Sequence, residues 1–74
     1  MSANKKRKLT DQQIKKLFTE DEWNEMRLKF MEAETVAPDS PAKGYVLYRQ
    51  IVRKARVKIG NDAERILAIL AREV

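Results

Sequence analysis

Signals that start a helix recur along this chain of 74 residues, and they constrain its fold more than any other feature. In a capping box, a Thr or Asn side chain and a Glu or Gln three residues later hydrogen-bond with the backbone of the first helical turn. Three pairs have this spacing: Thr10 with Gln13, Thr19 with Glu22, and Asn61 with Glu64. Ser40 followed by Pro41 predicts a fourth start, because proline fits the first helical position. No segment shows the apolar–polar alternation of a strand, so the sequence predicts an all-α protein.

Stop signals set the lengths of these helices. Gly60 is predicted to end the third helix, since glycine readily adopts the left-handed conformation found there. Pro38 is expected to push Ala37 out of the helical region and so to open a loop. The predicted helices cover residues 11–18, 20–34, 41–59 and 62–73. We expect a small orthogonal bundle of three to four helices formed by a single domain, residues 10–74, after a disordered basic N-terminal arm, residues 1–9.

Apolar residues at helical spacing predict the core. The second helix carries a stripe of Trp23, Met26, Phe30 and Ala33. The third carries Leu47, Tyr48, Ile51, Val52, Ala55 and Ile59, and the fourth carries Ala63, Ile66, Leu67, Ile69, Leu70 and Val74. Trp23 is predicted to be a structural residue, because a single tryptophan beside a small core is more often buried than presented to a ligand.

The composition excludes several classes of function. The chain has no cysteine and no histidine, which removes disulfides, thiolate metal sites and the commonest general base. Its two glycines form no phosphate-binding loop, and many of its carboxylates lie in predicted first turns, where they complement the helix dipole. We therefore expect no enzymatic activity, no catalytic residue, no metal and no cofactor. No apolar run approaches the ~20 residues of a membrane span, so an intracellular, cytoplasmic protein is expected.

The net charge of +5 is unevenly distributed. Residues 1–8 carry +4, residues 9–37 carry −3, and residues 38–74 carry +4. A basic arm and a basic C-terminal half therefore flank an acidic segment. This asymmetry favours an acidic or polyanionic partner, although the same charges can simply keep a small helical protein soluble.

Two basic features are candidate binding sites. The first is the arm, whose cations are Lys5, Lys6, Arg7 and Lys8. The second is a strip on the side of the third helix that faces away from its apolar sector, and we call it the arginine strip: Val46, Arg49, Arg53, Arg56 and Val57. Arginine favours bidentate pairing with carboxylates or phosphates. The interleaved valines favour a protein partner, because a phosphate backbone offers little apolar surface.

Other interpretations of the basic features stay open. The arm and the third helix are also compatible with direct nucleic-acid binding, which a salt-dependent affinity would indicate. A helix-turn-helix over 41–73 is less favoured, since Asp62 and Glu64 would open its recognition helix and repel phosphates. An antitoxin-like module that neutralises one specific partner is a further alternative.

The whole chain resembles the small early proteins that bacteriophages use to take over host RNA polymerase. The resemblance rests on its size, the helical body, the KKRK arm at 5–8 and the arginine-rich helix around RQIVRKAR at 49–56. In particular, it looks like the phage regulators that bind the largest polymerase subunits, displace the promoter-specificity factor and promote readthrough of terminators. We expect a monomer. The resemblance implies that it acts in the bacterial host cytoplasm and that its arm and arginine strip face acidic polymerase segments.

Overall fold

Four α-helices account for most of residues 9–74, the part of the chain that this computed structural model describes. They are α1 (Asp11–Lys16), α2 (Glu20–Val36), α3 (Pro41–Ile59) and α4 (Arg65–Glu73), and a 3₁₀ turn at Gly60–Asp62 joins the last two. These described residues contain no strand. The predicted all-α fold of three to four helices is thus confirmed, whereas residues 1–8 of the predicted arm lie outside the described part.

Two of the predicted capping boxes are confirmed. The Thr10 hydroxyl accepts from the Gln13 amide at 3.1 Å, and the Gln13 side chain accepts from the Thr10 amide at 2.8 Å. Thr19 and Glu22 repeat the arrangement at 3.1 and 2.8 Å. Since both boxes satisfy amides that have no partner inside the helix, they fix where α1 and α2 begin.

The predicted start of α4 is wrong. The helix begins at Arg65, and Asn61 lies in the 3₁₀ turn rather than at an N-cap. Gly60 has a positive φ of 60°, as predicted for the end of α3. Residues Gly60–Asp62 then form the 3₁₀ turn, so Asn61 cannot act as the N-cap of α4. The Ala63 amide donates to the Gly60 carbonyl at 3.0 Å, so backbone bonds replace the cap that Asn61 was expected to supply.

The predicted bounds of α1 and α2 also need correction. α1 ends at Lys16, and α2 continues to Val36. Ala37 keeps helical angles, φ −58° and ψ −41°, although it precedes proline. Its amide donates to the Ala33 carbonyl at 2.9 Å, and the Ser40 amide then closes the turn on the Val36 carbonyl at 2.7 Å. These bonds outweigh the steric bias against a helical residue before proline, which is a preference and not a prohibition.

The core lies where α2, α3 and α4 meet, and α1 covers one end of it. The predicted α2 stripe of Trp23, Met26, Phe30 and Ala33 is buried throughout. The other buried hydrophobic residues are Ile14, Phe18, Ile51, Val52, Ala55, Ala63, Ile66, Ile69 and Leu70. Leu9, assigned above to the arm, packs against this core, whereas Val74 is half exposed. None of the helices in residues 9–74 has both the length and the apolar character needed to cross a bilayer.

Glu73 ties three helices together. Its carboxylate accepts from the Trp23 indole at 2.8 Å and from Lys15 Nζ at 2.7 Å. Lys15 Nζ also lies 5.3 Å from the centroid of the Trp23 ring. The hydrogen bond from Lys15, and then the one from Trp23, lower the pKa of Glu73 below its ordinary value of 4.5.

We expect this contact to make stability depend on pH. A carboxyl group whose pKa is lower in the folded state stabilises the fold above its ordinary pKa of 4.5, and this stabilisation is lost as the pH falls through the folded value. Glu73→Gln should therefore lower the urea midpoint at neutral pH and have a smaller effect in acid. Trp23 fluorescence reports the unfolding, and Glu64→Gln is the matched control. An equal effect of Glu73→Gln at both pH values would contradict the assignment.

Candidate functional site: an arginine-lined groove

The three arginines of the arginine strip line a groove of about 630 Å³ between α2, α3 and α4. Arg49, Arg53 and Arg56 are spaced four and three residues apart, so they form a row over two turns of α3, about 10 Å long. The buried side chains of Phe30 and Val52 also line this groove. We call the feature the arginine groove.

α4 and the end of α2 complete the lining of the arginine groove. Leu67 and Ala68 follow Glu64 by three and four residues, so the three side chains share one face at the start of α4. Glu34 contributes a carboxylate from the C-terminal part of α2. The groove therefore combines a row of cations on α3, apolar side chains from all three helices, and carboxylates contributed by the other two.

The groove arginines take no part in the ion pairs of residues 9–74. The other cations of the chain include five that are paired: Lys15 with Glu73, Lys54 with Glu25, Lys58 with Glu22, and both Arg65 and Arg72 with Asp11. The paired cations join one helix or turn to another and so serve the fold. The three arginines keep their charge available to a partner.

Within α3, the lysines and the arginines have separate roles. Lys54 pairs with Glu25 of α2 at 2.6 Å. Lys58 Nζ lies 3.0 Å from the Glu22 carboxylate and 3.0 Å from the carbonyl oxygen of Leu17. The pKa of Glu22 is lowered first by the Thr19 amide and then by Lys58. Lys54 and Lys58 thus dock α3 on α2, whereas the three arginines line the groove.

Two tyrosines shape the groove. Tyr48 packs edge-on against Phe30, with ring centroids 5.5 Å apart, and its hydroxyl donates to the Glu34 carboxylate. This hydrogen bond raises the pKa of Tyr48 to about 12. The phenol is protonated at neutral pH and donates its proton to the Glu34 carboxylate there. Arg49 donates to the Tyr45 hydroxyl at 3.2 Å, and its guanidinium carbon lies 5.8 Å from the Tyr45 ring centroid. Tyr45 therefore restricts the position of Arg49.

The valines of the arginine strip lie outside the groove. Val46 is 51% exposed beside a shallow depression that Val36 and Leu47 also line. Val57 is 86% exposed and lines none of the concave surfaces in residues 9–74 described here. The other predicted site residues, Lys5, Lys6, Arg7 and Lys8, lie outside the described residues. Val46 also lines a second shallow depression together with Arg49 and Arg53, so this part of the predicted grouping is present in the structure. The groove adds a further apolar surface beside the same arginines.

Several groove residues were missed by the sequence analysis. Tyr45 precedes Arg49 by four residues, so the helical spacing contained the signal that would have placed them together. Glu34, Glu64 and Leu67 come from other helices, and only the packing of α2 and α4 on α3 brings them to the arginines. No local pattern in the sequence predicts such a meeting.

The chain was also compared with known proteins. No protein-family model, no curated protein and no solved structure matches it. In residues 9–74, no group of three or more acidic, cysteine or histidine side chains is placed to hold a metal ion. The geometry of the groove is therefore the main guide to function.

Proposed function

We propose that this protein is a non-enzymatic binding protein that docks, as a monomer, on an acidic surface of a larger protein machine. The observation that carries the proposal is the row formed by Arg49, Arg53 and Arg56, which no carboxylate of residues 9–74 neutralises. Guanidinium groups pair bidentately with carboxylates, and the adjacent apolar lining supplies the water-excluded contact that strengthens such pairs.

RNA polymerase is the partner that we propose, acting in the cytoplasm of a bacterial host. The support is the resemblance to phage regulators that occupy the large polymerase subunits, together with a groove suited to acidic protein segments. On this proposal the protein changes transcription by covering a surface, either blocking initiation or promoting readthrough of terminators. Residues Lys5 to Lys8 would add electrostatic attraction to the same acidic partner.

Two observations favour a protein over nucleic acid as the ligand. Glu34 and Glu64 line the groove that contains the arginines, and their charge disfavours a polyphosphate chain lying along it. Tyr45 and Leu67 present apolar surface, which a phosphate backbone does not use. An acidic protein segment with apolar side chains satisfies both the arginines and this lining.

A capture experiment tests the proposal. The tagged full chain is incubated with a nuclease-treated bacterial lysate, and the large RNA polymerase subunits are quantified by mass spectrometry. Arg49→Gln with Arg53→Gln should reduce the recovered polymerase at least about tenfold, as expected when central charged contacts of an interface are removed. The matched control is Lys16→Gln with Lys43→Gln, which removes the same charge from exposed sites away from the groove.

The outcomes separate the hypotheses. Polymerase recovery that the lysine control preserves and the arginine variant loses supports docking through the groove. Recovery from a parallel lysate without nuclease, but not from the nuclease-treated one, identifies nucleic acid as the ligand and overturns the proposal. Equal losses in the two variants assign the effect to net charge and also overturn it.

A further inference from the structure

We infer that the occupant of the arginine groove is an amphipathic helix of the partner, with carboxylates four and three residues apart on one edge and an apolar ridge beside them. This inference rests on the proposed docking function and adds the form of the bound segment. Two observations support it. The intervals between the three arginines match those between side chains on one face of a second helix. The groove is also lined by both cations and carboxylates.

The spacing favours a helix over an extended strand. Along α3, Arg49 and Arg53 are about 6 Å apart, and Arg53 and Arg56 are about 4.5 Å apart. A helix lying parallel to α3 presents carboxylates at positions i, i+4 and i+7 with the same two intervals, and an antiparallel helix does so at i, i+3 and i+7. A strand repeats its same-face side chains at a uniform interval of about 6.6 Å, which drifts out of register with the third arginine.

The apolar lining fits the ridge of such a helix. Phe30 and Val52 belong to the core itself, while Leu67 and Ala68 line the groove from α4. A helix that places carboxylates against α3 carries its apolar side chains on the adjoining stripe, toward Leu67 and Ala68. Helix-in-groove recognition uses anchors at this spacing.

The carboxylates of the lining specify the other edge of the occupant. Glu64 precedes α4, and Glu34, held by the Tyr48 hydroxyl, extends from the C-terminal part of α2. Neither is paired with a cation within residues 9–74. An occupant with lysine or arginine on the edge away from its carboxylates complements both sides of the groove, whereas a uniformly acidic segment is repelled on one side.

Synthetic peptides test the inference with the full chain. Two probes carry glutamates at i, i+4, i+7 or at i, i+3, i+7, a leucine ridge, and lysines on the far edge. A scrambled peptide of the same composition is the control. Fluorescence anisotropy should give at least about tenfold tighter binding for one helical probe than for the scrambled one, with helical circular dichroism rising on binding.

A charge reversal locates the contact. Arg53→Glu should weaken binding of the better probe at least about tenfold, and replacing the central glutamate of that probe by lysine should restore binding to this variant. Lys16→Glu, the control with an equal change of charge, should leave the affinity unchanged within about twofold. Rescue by the paired reversal requires that the two side chains meet.

Failure of this inference differs from failure of the proposed function. Equal binding of the helical and scrambled probes, or binding of neither, overturns the helical occupant. Polymerase capture that still depends on Arg49 and Arg53 then leaves the docking function standing. Loss of that arginine dependence overturns the docking function itself. Tighter binding of a single-stranded oligonucleotide than of any peptide overturns both.

Discussion

Replacing Ile66 by alanine is expected to remove most of the stability of this protein. Ile66 is completely buried in α4, a helix of nine residues whose start no side chain caps. A helix that short is marginal by itself in water, so its packing on α2 and α3 keeps it folded. Truncating a buried isoleucine costs about 2–5 kcal/mol, which approaches the ~3–5 kcal/mol that the core of so small a domain supplies.

Urea denaturation measures this effect by two signals, far-ultraviolet circular dichroism for the helices and Trp23 fluorescence for the core. Val57→Ala is the control, because it also truncates an apolar side chain, but one that is 86% exposed on α3. It should change the free energy of unfolding by no more than about 0.5 kcal/mol. Similar losses for both variants would show that Ile66 does not occupy the centre of the core.

The predictions from sequence succeeded where the determining interactions are local. Thr10 and Thr19 cap helices through side chains three residues away, so the residues that fix each start lie within a single turn. The stripe of α2 was also predicted, because the period of a helix alone assigns Trp23, Met26 and Phe30 to one side. The all-α fold followed from these features.

The errors arose where backbone bonds or tertiary packing compete with a local signal. Asn61 has the spacing of an N-cap, but the 3₁₀ turn at Gly60–Asp62 provides the Ala63 amide with a backbone partner, the Gly60 carbonyl. Ala37 precedes proline and still stays helical, because the turn to Ser40 closes on the Val36 carbonyl. In both places a signal typical of a helix boundary was outweighed by the connection between two packed helices.

The candidate site shows the same division between local and distant information. The arginine row was predicted, because Arg49, Arg53 and Arg56 belong to a single helix. The groove was not, because Glu34 and Leu67 come from distant parts of the sequence. This difference changes the expected ligand: an isolated basic strip suits any polyanion, whereas a groove that also contains carboxylates selects a partner with charges of both signs.

Gly44→Ala is expected to destabilise the protein by about 1–3 kcal/mol, since it overpacks the contact between the end of α2 and the start of α3. A Cβ atom at position 44 would lie 2.6 Å from Ala37 Cβ and 3.0 Å from Ala37 Cα, closer than packed atoms approach. At an unconstrained position inside a helix, the same substitution stabilises by about 0.5–1 kcal/mol. The sign of the measured change therefore reports directly on the close approach of the two helices.

Ala37→Gly in the Gly44→Ala background separates the clash from other effects. It removes the atom at 2.6 Å but leaves the Cα atom of residue 37 at 3.0 Å and the Ala33 carbonyl oxygen at 3.4 Å from the new methyl group, so only part of the lost stability should return. Ala37→Gly alone is the control for the effect of the second change. Gly44→Ala should also weaken peptide binding, because Glu34 and Tyr48 lie on the two helices that the clash would separate, and the double variant should recover part of it. A Gly44→Ala protein more stable than the parent would instead mean that Ala37 does not lie this close to Gly44. The arrangement of α2 and α3 that forms the groove would then be contradicted.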